Sequence, residues 1–191
     1  METIEIEFKN LLTEKEFNDL YETYQLSSQP TWKQTNVYYD TDQRDLAKHR
    51  AALRLRLLPH KAEITLKTPA NQGLLETTLP LSKKEGEHCL QAQCLPNDTI
   101  ITQKLQDFGI DNRSVRPFAQ LATQRIEYAL SEDALLVLDE SWYEQGHDYE
   151  LELEVADFEK GRVLFETLLK KHGIPKRQTP NKIQRAISKL L

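Results

Sequence analysis

Charged and apolar residues alternate at period two in the first run of the chain, Glu5-Ile6-Glu7-Phe8-Lys9. In an extended strand, Glu5, Glu7 and Lys9 project from one face and Ile6 and Phe8 from the other. The same period returns at Leu53-Arg54-Leu55-Arg56-Leu57, Arg125-Ile126-Glu127-Tyr128, Leu136-Val137-Leu138-Asp139 and Glu150-Leu151-Glu152-Leu153-Glu154-Val155. Further strands are predicted at Thr35 to Tyr39, Ala62 to Lys67 and Leu74 to Leu81, with Pro59-His60 and Ser131-Glu132-Asp133 as hairpin turns.

Helical spacing takes over elsewhere. Thr13 and Glu16 form a capping-box pair ahead of Phe17, Leu20, Tyr21 and Tyr24. Ser82 to Asn97 reads as short helix and loop, and Thr99 to Phe108 as a helix ending near Gly109. Asp157 caps a helix to about His172, stopped by Gly173 and Pro175. Thr179-Pro180 opens a last helix whose apolar stripe is Ile183, Ala186, Ile187, Leu190 and Leu191. About eight strands with several short helices predict one α+β domain over residues 1–191, built on an antiparallel sheet that closure into a barrel would free of exposed edges.

Composition narrows this picture. Charged residues make up 29% of the chain and apolar residues 39%, so a core is affordable but many charges need a surface or a polar cavity. A formal net charge of -5 argues against general nucleic-acid or acidic-membrane binding. The opening residues lack a basic region followed by an apolar one, and no apolar run approaches membrane-spanning length. The expectation is a cytoplasmic protein, a monomer or homodimer, with no nucleic-acid or membrane partner. The two cysteines, Cys89 and Cys94, are too few for a disulfide framework and read as free thiols. Next to His88 they lack the spacing and the fourth ligand of a zinc site, and the five histidines are scattered. Trp32 and Trp142 read as packing residues. The face of the last helix shared by Lys182, Arg185 and Lys189 reads as solvated.

The charge pattern carries the chemistry. Three glutamates in one row of a strand repel one another unless a cation intervenes. Hard divalent cations such as magnesium or manganese want those oxygens. Arg54 and Arg56 offer guanidinium forks that match phosphate oxygens. Taken singly, each row is also what a solvated sheet face or a surface salt-bridge ladder looks like. Taken together, five strands set both signs of charge opposite an aliphatic face. If the helices cover that aliphatic face, the charges line an interior, and acidic groups for metal beside basic groups for phosphate make a polyphosphate-metal site. No Walker A glycine loop is present.

These residues resemble the CYTH family, the triphosphate tunnel metalloenzymes. Its ExExK signature corresponds to Glu5 to Lys9, its Tyr-[Tyr/Phe]-Asp-Thr segment to Tyr38-Tyr39-Asp40-Thr41, and its LRxR strand to Leu53 to Arg56. Thr65-Leu66-Lys67, Glu76, Arg125 to Tyr128, Leu138-Asp139-Glu140, the ExExE run Glu150 to Glu154, and Lys182 continue the match in order. Leu74 stands where many members carry a basic residue, and Asn181 where many carry serine.

The resemblance implies an eight-stranded antiparallel tunnel with helices outside, Mg2+ or Mn2+, and a small-molecule substrate bearing a triphosphate. Hydrolysis of tripolyphosphate, nucleoside triphosphates or thiamine triphosphate is the implied activity. Adenylate cyclisation or binding without turnover are the alternatives. On this expectation Lys9, Arg54, Arg56, Lys67, Arg125 and Lys182, with Glu76, handle the triphosphate. Glu5, Glu7, Glu152 and Glu154 coordinate metal, with Glu150 and Asp139 as further candidates.

Overall fold

The structure is a computed structural model describing residues 1–97, 99–144 and 146–188, with Ser188 described by its backbone alone. It is α+β, the class expected. Among the described residues nine strands are hydrogen bonded in one order, β1-β6-β5-β4-β3-β7-β8-β9-β2. They are β1 (Glu2–Glu5), β2 (Glu7–Leu12), β3 (Thr31–Asp40), β4 (Ala52–Leu57), β5 (Lys61–Pro69), β6 (Leu74–Ser82), β7 (Arg116–Ser131), β8 (Ala134–Tyr143) and β9 (Gly146–Val155). The helices are α1 (Glu14–Thr23), α2 (Asp45–Lys48), α3 (Lys83–Ala92), α4 (Ile100–Asp107), α5 (Phe158–Lys171) and α6 (Lys182–Ser188).

There is one strand more than the alternation predicts. The opening run is interrupted at Ile6, where the chain leaves β6 and takes β9 as its partner. The Ile6 carbonyl still accepts the Val155 N–H at 2.9 Å. The two ends of the strand order are thus separated by a single residue of chain.

The chain forms two compact units. The first comprises residues 1–4 and 34–121. In it β3, β4, β5 and β6 pair antiparallel in sequence, and Leu53, Leu55, Ala62, Ile64 and Leu66 pack against Cys89 of α3 and Ile101 and Leu105 of α4. α3 crosses closely enough that a Cβ on Gly86 would lie 2.3 Å from the Ala62 Cβ. α2 was not foreseen. It exists because the Asp40 carboxylate accepts the N–H groups of Thr41 (2.8 Å), Leu46 (2.9 Å) and Ala47 (3.3 Å), binding donors that a single short turn leaves without carbonyl partners.

The second unit comprises residues 5–33 and 122–191. In it β7, β8, β9 and β2 pair antiparallel. Ile126, Leu136, Leu138, Leu151 and Leu153 pack against Phe17 and Leu20 of α1 and Phe165, Leu168 and Leu169 of α5. Each fully buried leucine contributes about 1.5–3 kcal/mol of transfer free energy. The Thr13–Glu16 capping box forms as expected, and Glu16 also binds Arg177 through two contacts of 2.8 Å. Residues 175–179 are laced to β2: Asn10 Nδ2 donates to Pro175 O (3.1 Å), Arg177 N to Asn10 Oδ1 (2.7 Å), and Leu11 N to Thr179 Oγ1 (3.0 Å). That strap delivers the chain to α6. Lys189, Leu190 and Leu191, assigned to the last helix from sequence, lie outside the described residues.

In both units the helices take the aliphatic face of the strands. The alternating charges therefore lie on the opposite face, as the inverted pattern required. Among the described residues no helix is long and apolar enough to cross a membrane.

Candidate functional site

Cross-strand register builds the charged face of each unit. In the first unit Arg56 lies opposite Asn36 and Glu63, Arg54 opposite Tyr38 and Thr65, and Lys67 opposite Glu76. Arg56 Nε donates to Asn36 Oδ1 (3.1 Å) and its Nη1 to Glu63 Oε1 (3.3 Å). Arg54 Nη2 stands 3.9 Å from the same Glu63 oxygen, and Lys67 Nζ is 2.7 Å from Glu76 Oε1. Among the described residues the buried Arg54 Nε has no hydrogen-bond partner. Glu63 thus serves both Arg54 and Arg56, and among the described residues the Arg54 Nε–H faces no acceptor, an arrangement that suits an added anion. Leu74, in the position where a basic residue was looked for, is half-buried opposite Pro69.

In the second unit the rows run across four strands. Arg125 faces Asp139, which faces Glu150. Glu127 faces Val137, which faces Glu152, which faces Lys9. Leu135 faces Glu154, which faces Glu7. Thr123 and Ser141 extend the same face, hydroxyl to hydroxyl at 3.1 Å.

The innermost residues form a buried ion cluster. Arg125 Nε and Nη2 donate to Asp139 Oδ1 (2.9 Å) and Oδ2 (2.7 Å), and Nη2 also reaches Glu152 Oε2 (2.7 Å). Lys182 Nζ, from the start of α6, lies 2.9 Å from Asp139 Oδ2, 3.0 Å from Glu150 Oε2 and 2.5 Å from Glu152 Oε1. Burial opposes charge on Glu152, but Lys182 and Arg125 beside it hold its carboxyl well below the usual range. Burial likewise opposes charge on Arg125 and Lys182, and the carboxylates around them outweigh it, so both stay firmly protonated. For Glu150, burial wins and pushes the carboxyl up. Among the described residues its Oε1 has no hydrogen-bond partner.

The outer residues are less balanced. Lys9 Nζ binds Glu7 Oε1 at 2.6 Å. Arg125 Nη1 stands 3.7 Å from Glu154 Oε1 and 4.0 Å from Glu127 Oε1. Burial, and then the like charges of Glu152, Glu5 and Glu7, push the Glu154 carboxyl up to about 7. Among the described residues no three His, Cys, Asp or Glu side chains converge as they do around a bound ion. The donor set nevertheless fits a hard divalent cation, being all carboxylate, and a cation would relieve the like charges of Glu152, Glu5 and Glu7 around Glu154.

Sequence reasoning misread Arg185. It is 5% exposed, not solvated, and binds Glu150 through Nη2, Asp148 Oδ2 (3.1 Å) and Tyr143 Oη (3.0 Å) through Nε, and Pro180 O (2.6 Å) through Nη1. Its spacing of three from Lys182 puts both on one helix face, the one signal that could have found it. Asn181, in the serine position, caps α6 reciprocally with Gln184: Gln184 N donates to Asn181 Oδ1 (2.8 Å) and Asn181 N to Gln184 Oε1 (3.1 Å). Cys89 is buried, Cys94 exposed, and both are free thiols.

Comparison with known proteins agrees with this geometry. The CYTH domain profile matches residues 3–187. YjbK of Bacillus subtilis strain 168, named as a candidate triphosphatase, is 43% identical over 182 residues, 95% of this chain and 93% of its own. A solved structure from Bacillus halodurans, named as a candidate adenylate cyclase, is 35% identical with a TM-score of 0.87, covering 96% of this chain and 97% of that one. HpAC1 of Hippeastrum, named as a candidate adenylyl cyclase with a dominant triphosphatase activity, is 27% identical with a TM-score of 0.79, covering 98% and 96%. With the ordered charge pattern on a helix-backed antiparallel sheet and a profile match over nearly its whole length, the chain belongs to the CYTH domain family.

Proposed function

We propose that this protein is a metal-dependent hydrolase of small molecules that carry a triphosphate. The observation that carries the reading is the cross-strand pairing of Glu7 with Glu154 and of Lys9 with Glu152, beside the Glu152 carboxylate held by buried Arg125 and partly buried Lys182. The names of YjbK and HpAC1 support the same reaction class.

On this reading Arg54, Arg56 and Lys67, with Glu76 orienting the lysine, bind phosphate oxygens. Arg54, whose Nε lacks a partner, has a donor to give. Lys9 and Arg125 hold the charge that develops on the transferred phosphoryl group. Glu5, Glu7, Glu152 and Glu154 would hold Mg2+ or Mn2+, which when bound supplies charge neutralisation and lowers the pKa of a coordinated water. Loss of the proton from Glu154 frees its oxygens for ligation. No covalent enzyme intermediate is needed.

The test is phosphate release from tripolyphosphate, ATP and thiamine triphosphate with Mg2+ and with Mn2+, run beside Glu7→Ala. Metal-dependent release that Glu7→Ala lowers at least ~100-fold supports the reading and ranks the substrates. Pyrophosphate with cyclic nucleotide from ATP would replace it with the cyclase alternative. Ligand-induced thermal stabilisation without release would replace it with a binding protein.

A further inference from the structure

The Glu150 neighbourhood contains more charge pairing than a metal ligand needs. Three buried carboxylates, Asp139, Glu150 and Glu152, meet two buried cations, Arg125 and Arg185, and the partly buried Lys182. Glu150 Oε2 is shared by Lys182 Nζ and Arg185 Nη2. Arg185 is in turn fixed by Asp148, by Tyr143, and by the carbonyl of Pro180 at the entrance to its own helix. The Tyr143 hydroxyl closes the ring by donating to Asp148 Oδ1 at 3.1 Å.

We infer that Arg185 is a positioning residue: it docks α6 on β8 and β9, takes up Glu150, and thereby holds Lys182 Nζ against Asp139, Glu150 and Glu152. This deepens the function proposed above and rests on it for its catalytic consequence, though not for its geometry. Two physical points carry it. A guanidinium fixed by three acceptors besides Glu150 has one orientation, so the carboxylate it takes has one orientation as well. Lys182 lies one helical turn from Arg185, so the bond to the Pro180 carbonyl and the bond to Glu150 together fix where the lysine enters the cluster. Asp139 and Glu150, candidate metal ligands from sequence, become the counter-ions of Arg125, Lys182 and Arg185.

The experiment uses the full chain as wild type, Arg185→Ala, Arg185→Lys and the double variant Arg185→Ala/Glu150→Gln. Two readouts are taken well below each melting temperature. The first is reductive methylation read by mass spectrometry at Lys182, with exposed Lys15 as the internal reference. Lys182 is protected in wild type and in Arg185→Lys, and is methylated at least ~10-fold faster in Arg185→Ala. The second is kcat and KM for tripolyphosphate with Mg2+, where Arg185→Ala loses kcat by ~10–100-fold, the range typical of residues that orient ligands, and Arg185→Lys recovers most of it. The double variant regains part of the melting temperature, because the buried Glu150 carboxylate no longer lacks its guanidinium, yet keeps the low kcat.

Continued protection of Lys182 in Arg185→Ala overturns the inference. So does a kcat that returns to wild type together with the melting temperature in the double variant, which would make Arg185 a stability residue only. Wild type without phosphate release defeats the function proposed above and not this inference, which the methylation arm then decides.

Discussion

Arg125 grips Asp139 through two parallel hydrogen bonds, 2.9 Å from Nε and 2.7 Å from Nη2, with Asp139 fully buried. Removing one partner leaves the other charged in a dry setting. Arg125→Met or Asp139→Leu alone is expected to cost about 3–5 kcal/mol of stability. The double variant costs less than the sum, since neither charge is then orphaned. Urea unfolding of the four proteins gives the coupling directly, and strict additivity would mean that the pair is not energetically linked.

Gly86 and Gly161 are predicted to resist enlargement. A Cβ at Gly161 would lie 2.4 Å from Val155 Cγ2 and 2.9 Å from a Phe8 ring carbon, and one at Gly86 2.3 Å from Ala62 Cβ. Both glycines sit inside helices, where alanine would otherwise be favoured. Steric exclusion wins, and Gly86→Ala and Gly161→Ala each lose about 1–3 kcal/mol. A melting temperature at or above wild type in either variant would show that the helix slides away at little cost.

Asp40 is a backbone clamp rather than a ligand, since its carboxylate already accepts three N–H groups. Asp40→Ala is expected to lose about 2–4 kcal/mol, because buried donors go unsatisfied. Asp40→Asn, which keeps one acceptor, loses less than half of that. Amide hydrogen exchange at Leu46 and Ala47 should rise in Asp40→Ala before the rest of the chain changes, and unchanged protection there would refute the clamp.

Glu154 gives stability a pH dependence of unusual sign for a carboxylate. Its folded pKa of about 7 lies above the ordinary 4.5. Between those values the folded chain holds a proton that the unfolded chain has released. Stability contributed at this site is therefore present at low pH and lost as pH rises through about 7. In the absence of divalent cations, the melting temperature of wild type should decline across that window relative to Glu154→Gln. Parallel curves for the two proteins would assign the effect elsewhere.

Much of the fold was legible because period-two alternation is a local property. Leu53 to Leu57 and Glu150 to Val155 announce which face meets the helices without knowledge of any partner strand. The Thr13–Glu16 box was equally local, and so was the Asp157 cap, which accepts the Lys160 N–H at 2.9 Å. What the sequence hid was long-range. Arg185 reads as one more surface cation until Tyr143, Asp148 and Glu150, some 35 residues earlier, are folded beneath it. The break at Ile6 was hidden too, because a strand that changes partners keeps its alternation while its hydrogen bonds change hands. The short α2 was hidden because an aspartate side chain, not helix propensity, pins it.

Two of the three cations that neutralise Asp139, Glu150 and Glu152 arrive on α6, the last helix described. Shortening the chain at Asn181 would therefore act as an electrostatic mutation. It would take both α6 cations from Asp139, Glu150 and Glu152 at once and force those carboxylates to take up protons or admit water. A fusion or tag appended after α6 is benign only if it leaves that helix seated, so an N-terminal tag is the safer choice for any assay of this protein.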